Sequence, residues 1–195
     1  MFCVFLSAQT TKESLDEIKM FQNKLNAEYK NQKESPLRGK NLARFKKHPF
    51  FPADLKYRVK ATFRKTENPV PFELPTSSGK FKTYQEFGIA DFEIDGKGYS
   101  LTLYQSLDLM KKEQYKDYLF LPFRDETNGI ETYGGGKYLD LKIPEGGEIV
   151  LDFNQSYQPF CAYNALDYNC PIVPEKNKLP VRIEAGVVYE DIYYH

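Results

Sequence analysis

The chain has 195 residues, and its 27 Lys and Arg balance its 27 Asp and Glu, so its formal net charge at pH 7 is zero. Without a basic excess to neutralise phosphates, nucleic-acid binding is not expected, and no apolar run approaches the roughly 20 residues of a membrane span. The length predicts one domain, alone or with an appended segment, and the 15 Tyr and 15 Phe in short alternating runs favour β-sheet.

The first eight residues, MFCVFLSA, are apolar and end in the small residues Ser7 and Ala8. A short apolar segment closed by small residues is typical of the end of a signal peptide, although the charged segment that normally opens one is missing here. We therefore predict a signal-peptide remnant at 1–8 and a periplasmic or secreted protein. A cytoplasmic protein with an ordinary hydrophobic N-terminus is the alternative.

A helical segment is predicted at 9–45. Thr10 and Glu13 have the spacing of a capping box, and apolar residues then recur every three or four positions, as they do on one face of a helix. These apolar positions are Leu15, Ile18, Phe21, Leu25 and Tyr29. The pattern predicts a helix over 11–30, and the remaining residues, 46–195, are predicted to form a β domain.

Two apolar runs flank Asp95-Gly96, which is a strong signal for a two-residue β-turn. Pairing the runs about this turn places their apolar side chains on one face and their polar side chains on the other. The apolar face carries Ala90, Phe92, Ile94, Tyr99, Leu101 and Leu103. The same alternation predicts further strands at 57–63, 118–123 and 181–185.

A second hairpin is predicted from 139–143 and 149–153, joined by a three-residue loop at 145–147 that contains two glycines. Matching the apolar faces of the two runs places Asp140 directly opposite Asp152, where like charges are destabilising. A shared proton, a bound cation or a neighbouring Arg or Lys would compensate. One candidate function is therefore a hydrolase with these two carboxylates as catalytic residues, with or without a metal ion; ion-paired or solvated structural carboxylates are the other interpretation.

Arg124 begins a polar loop that ends in the three glycines at 134–136. Its planar guanidinium suits a carboxylate or a phosphate, and the glycines would let a ligand approach the backbone. We predict a pocket for a small polar or anionic ligand, rimmed by this loop and by the long loop at 155–178. Its predicted ligand-binding residues are Arg124, Asp125, Thr127, Tyr133, Tyr157, Tyr163 and Asn164. A rigid turn tied down by Arg124, with ordinary tyrosine packing, is the structural alternative.

Cys161 and Cys170 lie nine positions apart inside the 155–178 loop. A disulfide, a metal pair and two buried thiols are all compatible with this spacing. Zinc usually requires four ligands, and the only histidines, His48 and His195, have no implied partner, so no metal site is predicted. An exported chain would favour the disulfide, because thiols pair in oxidising compartments.

Four stretches of the chain occur in a recognisable order: HPFFPADLKYRVKATF, PFRDETNGIETYGGGKYLDL, DFNQSYQPFCAYNALDYNCPIVPEKNKL and VRIEAG. Together they resemble the domain-of-unknown-function family 1684 of bacteria and archaea, over about residues 11–187. The resemblance implies no activity and no catalytic residues. It does imply that the cysteine loop is a family feature, including in members that look cytoplasmic, where the two thiols would remain reduced and buried.

The predicted architecture is mostly β: an antiparallel β-sandwich or partly closed barrel with an N-terminal α-helix packed on it. The predicted function is the binding of a small polar ligand by an exported domain. The paired-carboxylate hydrolase and a purely structural or interaction role are the alternatives. The sequence indicates no cofactor and no oligomeric state.

Overall fold

The computed structural model describes residues 2–193, with side chains from residue 10 onward. Three helices are present in this part of the chain: α1 (Phe2–Lys30), α2 (Gly39–Arg44) and α3 (Leu107–Met110). None of the helices within residues 2–193 combines the length and hydrophobicity needed to cross a bilayer. The predicted signal-peptide remnant at 1–8 falls where side chains are not described, so it stays a prediction, and His195 lies outside the described residues.

Seven antiparallel strands form one curled sheet with the order β6-β5-β4-β3-β1-β7, and β2 pairs with β3 off this path. The strands are β1 (Arg58–Lys65), β2 (Phe72–Pro75), β3 (Phe81–Ile94), β4 (Lys97–Ser106), β5 (Tyr118–Phe123), β6 (Lys137–Lys142) and β7 (Glu148–Asp152). The mostly-β prediction is confirmed. Of the two architectures predicted, the protein has the partly closed barrel, in the form of a half-barrel.

The curl of the sheet is visible in its core. Leu139 of β6 and Leu151 of β7 belong to one buried cluster, together with Leu101 and Leu121 from the middle of the sheet. Since β6 and β7 are the two ends of the strand order, they reach the same interior only because the sheet bends round it. The alternation of each strand places the intervening polar and aromatic side chains on the outer face.

The β3–β4 hairpin has the predicted turn and register. Asp95 and Gly96 both have positive φ, 51° and 74°, as a type I′ turn requires. Ala90 pairs with Leu101, and Phe92 pairs with Tyr99. Local signals were sufficient here because the turn and the apolar alternation specify the same pairing.

A β-bulge near Gly88 helps the long β3 strand to bend. The register of β3 against β4 shifts between Glu86 and Gly88, and bulges increase local twist and curvature. The Phe63 ring from β1 lies so close to Gly88 that an added Cβ would stand 2.5 Å from it. Glycine therefore lets a core aromatic ring pack directly onto the bent backbone.

The predicted second hairpin is wrong. Leu141 of β6 pairs with Leu119 of β5, whereas Leu151 of β7 pairs with Val59 of β1, so Asp140 and Asp152 stand on opposite edges of the sheet. The faces were assigned correctly, since Leu139 and Leu151 are both interior. Period-two alternation determines which face a side chain occupies, but it does not determine the neighbouring strand.

The predicted strand at 181–185 is also wrong, because these residues belong to none of the strands in the described part of the chain. Two of the backbone groups of Ile183 are satisfied by buried side chains instead. The Ile183 amide donates to Asp125 Oδ1 at 3.1 Å, and Lys137 Nζ donates to the Ile183 carbonyl at 2.8 Å. Hydrogen bonds from buried side chains therefore hold this segment in place, and it does not pair with a neighbouring β-strand within residues 2–193.

Helix α1 lies over the outer face of the sheet. Glu17 forms an ion pair with Arg58 of β1 at 2.7 Å. Further along the helix, Glu28 lines a groove with Asp140 of β6, and Leu25 packs into an aromatic cluster beneath it. The helix thus lies close to β1 and to β6, which stand near opposite ends of the strand order.

Candidate functional site

A fully buried ion pair lies where β6 begins. Lys137 Nζ is 2.9 Å from Asp125 Oδ2, and neither side chain is exposed at all. Asp125 Oδ1 also accepts from the Thr127 amide at 2.9 Å, and the Thr127 hydroxyl is 2.9 Å from that of Thr132. Burial lowers the pKa of Lys137, an effect that the Asp125 carboxylate opposes.

Asp125 and Thr127 therefore hold the 124–136 loop to the barrel, and the prediction that they contact a ligand is not supported by their position. Both residues are buried, and their polar atoms are engaged with Lys137 and with neighbouring backbone. They belong to the alternative that the sequence left open, a loop tied down by its own polar side chains.

Arg124 is not among the residues that line the concavity at Tyr133, so its position does not support the prediction that the two share a pocket. The Arg124 amide donates to the Asn177 carbonyl at 2.9 Å, and its carbonyl accepts from the Leu179 amide at 2.8 Å. The aliphatic part of its side chain packs over Gly136, where a Cβ would stand 3.1 Å from Arg124 Cγ. Arg124 thus joins two loops, and it is not among the residues that line the Tyr133 concavity.

The Tyr133 concavity has a volume of about 550 Å³ and combines the glycine loop with the cysteine loop. Its lining residues are Gly129, Ile130, Thr132, Tyr133, Gly134, Cys161, Ala165, Tyr189 and Asp191. Tyr133 stands edge-on against Tyr189, with 5.3 Å between ring centroids. One predicted ligand residue and one predicted cysteine therefore do meet on this surface.

Cys161 and Cys170 are free, buried thiols that contact each other. The Cys161 amide donates to Cys170 Sγ at 3.2 Å, and the Cys170 amide donates to Ser77 Oγ, also at 3.2 Å. The predicted disulfide is not formed in this structure and stays a prediction. The contact shows that the loop brings the two cysteines together.

Tyr163 and Asn164 fasten the loop to the N-terminal region. The Tyr163 hydroxyl donates to Gln158 Oε1 at 3.1 Å, and its ring packs edge-on against Tyr29 with 5.1 Å between centroids. Asn164 Nδ2 donates to the Pro36 carbonyl at 2.9 Å. Both residues also line a concavity of about 400 Å³ at Arg38 and Lys40.

Asp152 has a structural role at the end of β7. Its carboxylate is 2.7 Å from the Arg58 guanidinium, and Oδ1 caps the turn that follows by accepting from the Asn154 amide at 3.1 Å. The residue is buried. Because Asp152 is neutralised here and Asp140 lies on another edge of the sheet, the predicted carboxylate pair is absent.

Asp140 lies in a different setting, at the junction of two concavities on the outer face. Its Oδ1 accepts from the Tyr118 hydroxyl and from the Tyr157 hydroxyl, each at 2.7 Å. The residue is exposed, and no Lys or Arg of the described chain forms an ion pair with it. The carboxylate is thus fixed by two tyrosines and open to solvent.

The larger of these concavities, which we call the Asp140 cleft, has a volume of about 430 Å³ and is lined mainly by aromatic rings. Its aromatic lining residues are Tyr84, Tyr115, Tyr118, Phe120, Tyr138, Tyr157, Phe160 and Tyr168. The rings pack against one another. Phe120 and Tyr138 make an edge-to-face contact with 4.7 Å between ring centroids, and the Tyr138 hydroxyl donates to the Pro171 carbonyl. The walls of the cleft are therefore well ordered by their own contacts.

A smaller groove of about 180 Å³ continues from Asp140 to helix α1. Glu28 lines it, and the pKa of Glu28 is raised by burial, by Glu34 and by the negative charge of Asp140. Burial and the Asp140 carboxylate likewise raise the pKa of Tyr118 and of Tyr157. Lys24 also lines the groove and Lys82 also lines the cleft, and Lys82 Nζ donates to the Asn169 carbonyl at 2.9 Å. The two carboxylates, Asp140 and Glu28, nevertheless disfavour a further negative charge beside them.

The sequence prediction missed Tyr118, Tyr138 and Glu28 as members of this cleft. The alternation of Tyr118 and Phe120 with Leu119 and Leu121 already indicated an outward aromatic face. What was missing was the pairing of β5 with β6, which brings Asp140 beside that face.

Residues 43–188 match the family model described as "Protein of unknown function (DUF1684)". Among solved structures, the chain is similar to the solution NMR structure of the uncharacterized protein from gene locus rrnAC0354 of Haloarcula marismortui. The two chains are 30% identical, the match covers 93% of this chain and 97% of that one, and the TM-score is 0.71. No curated protein matches this chain.

Proposed function

The chain belongs to the DUF1684 family of proteins of unknown function, and we propose that it is a binding protein whose ligand is a small organic cation held in the Asp140 cleft. The observation that carries the proposal is the Asp140 carboxylate itself. It is exposed, it is oriented by hydrogen bonds from Tyr118 and Tyr157 at 2.7 Å, and it opens into a concavity lined by aromatic rings.

Charge supports a cation over the anion expected from Arg124. The Tyr118 and Tyr157 hydroxyls both donate to Asp140 Oδ1. Asp140 Oδ2 therefore has no hydrogen-bond partner in the described part of the chain. Glu28 lies in the adjoining groove, and its pKa is raised by burial first and then by the negative charges of Glu34 and Asp140. An ammonium group placed here would gain an ion pair and relieve the repulsion between two carboxylates.

The aromatic lining supports an organic cation over a metal ion. A cation over the face of a tyrosine or phenylalanine ring is attracted by the ring quadrupole, and aromatic cages are the usual receptors for quaternary ammonium groups. A divalent metal would need several oxygen ligands. Among the described side chains, those of residues 10–193, no group of three or more His, Cys, Asp or Glu is arranged to hold one.

The concavity at Arg38 and Lys40 is a weaker candidate for an anionic ligand. The Arg38 guanidinium already donates to the Ser35 and Leu37 carbonyls and lies 3.5 Å from the Asp167 carboxylate. An anion entering there would compete with these partners and meet the charge of Asp167.

The proposal is tested by calorimetric titration of the full chain with benzyltrimethylammonium, with choline, and with 3,3-dimethylbutan-1-ol, the uncharged isostere of choline. We expect both cations to bind and the neutral isostere to bind at least about tenfold more weakly, because it loses the ion pair and the cation–π attraction. The substitution Asp140→Asn should weaken cation binding by a similar factor.

Asp117→Asn is the matched control. Asp117 is another carboxylate of the same region, but it is paired with Lys142 at 2.7 Å and does not line the cleft. Cation affinity should be unchanged in this variant. Equal affinity for choline and its neutral isostere, or an Asp140→Asn variant that folds and binds the cations as well as the parent chain, would refute the proposal.

A further inference from the structure

The two thiols of the 155–178 loop lie between two concavities. Cys161 lines the Tyr133 concavity, whereas Cys170 lines the Asp140 cleft. The two thiols are not bonded to each other, and the Cys161 amide lies 3.2 Å from Cys170 Sγ. We propose that they form a peroxide-reactive thiol pair, in which Cys161 is the attacking thiolate and Cys170 is the resolving thiol.

Polar groups around Cys161 favour its ionised form. The neighbouring side chains of Cys170, Ser77 and Tyr133 lower the pKa of Cys161 to about 7, against the opposing effect of burial. The pKa of Cys170 is raised by its neighbour's charge and by burial. The pair therefore releases one proton easily and retains the second, which suits one nucleophile and one resolving thiol.

Access to solvent differs between a structural and a reactive cysteine. Both cysteines are largely buried, with 5% of Cys161 and 9% of Cys170 exposed, so a second protein cannot reach them. Because Cys161 borders an open concavity of about 550 Å³, a molecule as small as hydrogen peroxide has a route to its sulfur. The structure thus favours a small oxidant over a protein disulfide as the reaction partner.

The chemistry balances with hydrogen peroxide as the oxidant. The Cys161 thiolate attacks one peroxide oxygen, the O–O bond breaks, and the products are Cys161 sulfenic acid and hydroxide. The Cys170 thiol then attacks the sulfenic sulfur, a disulfide forms, and water leaves. In total, two thiols lose two hydrogens, and one peroxide is reduced to two waters.

The test uses the full chain with Cys3→Ser, so that only this pair remains, in its reduced form. At pH 7 a thiol with a pKa near 7 is about half ionised, whereas an ordinary cysteine is about 3% ionised. We therefore expect peroxide to consume the two thiols about tenfold faster than it consumes N-acetylcysteine, with an intact mass that is lower by two hydrogens. The rate should reach half its maximum near pH 7.

Three variants separate the roles. Cys170→Ser should accumulate a sulfenic acid that dimedone captures at Cys161, and Cys161→Ser should lose the rapid phase. Tyr133→Phe keeps the ring and removes the hydroxyl, so it should move the midpoint of the pH–rate profile upward. Circular dichroism melting verifies that each variant is folded.

A further test needs no variant: the rate at which peroxide consumes the thiols is compared between the folded and the unfolded parent chain. In concentrated urea the cluster around Cys161 is dispersed, and the rate per thiol should fall to that of N-acetylcysteine. The proposal is refuted if the folded chain reacts no faster than the unfolded one, or if dimedone labels Cys170 instead. It is equally refuted if the chain is isolated with a disulfide that resists dithiothreitol, because the bond is then structural.

Discussion

Buried His48 should make this protein sensitive to mild acid. The imidazole is 2% exposed and is surrounded by aromatic rings, of which Tyr29 is nearest at 4.2 Å between centroids. Its Nδ1 is 3.5 Å from the Tyr163 hydroxyl, and Nε2 has no partner in the described part of the chain. Burial lowers the pKa of His48 from 6.5 to about 3, so the folded protein holds the ring neutral.

The sign and size of the effect follow from linkage. Since the pKa of His48 is lower in the folded state, the unfolded chain takes up the proton first as the pH falls. The stability that the neutral ring preserves is present above pH 6.5 and is lost on the way down to about pH 3. Between pH 7 and pH 5 the free energy of unfolding should fall by about 2 kcal/mol through this group alone, a large share of a typical 5–15 kcal/mol.

The assay is urea unfolding at pH 7 and at pH 5, for the parent chain and for His48→Phe. Phenylalanine keeps an aromatic ring in the cluster but cannot take up a proton, and carboxylate titrations are common to both chains. The parent should lose about 2 kcal/mol more than the variant between the two pH values. Two results would show that His48 is not held neutral by burial. The parent and the variant would lose the same free energy of unfolding, or NMR would show the His48 imidazole of the folded chain titrating near pH 6.5.

Two further predictions concern buried polar groups. Lys137→Met leaves the Asp125 carboxylate buried without its cation, so the free energy of unfolding should fall by about 3–5 kcal/mol in urea titrations, and a loss below about 1 kcal/mol would contradict the buried ion pair. Asn177→Ala removes three hydrogen bonds that join the loop to β4 and β5, from the Thr102 amide and to the Thr102 and Pro122 carbonyls at 2.7–2.9 Å. It should cost about 2–4 kcal/mol and accelerate hydrogen exchange at the Thr102 amide, and unchanged exchange there would contradict this role.

The sequence by itself determined the class of fold, the N-terminal helix and the side of the sheet on which each residue lies. Ile18, Leu25 and Tyr29, spaced as on one face of a helix, are buried. The Asp95-Gly96 turn set the register of β3 and β4. Even in the hairpin that does not exist, Leu139 and Leu151 were correctly assigned to the interior. These features are local, since periodicity and turn chemistry act over a few residues.

Only the tertiary structure decided which strands are neighbours, and with them the site. The runs at 139–143 and 149–153 are adjacent in sequence, but the sheet curls and sends them to opposite edges. That choice separates Asp140 from Asp152 and places Asp140 beside Tyr118, 22 positions away in the chain. Strand order depends on how the whole core is filled, and alternation within a single strand carries no information about its partner. The cysteines show the same division. Their shared loop was evident from the sequence, whereas the contact between the Cys161 amide and Cys170 Sγ required the fold.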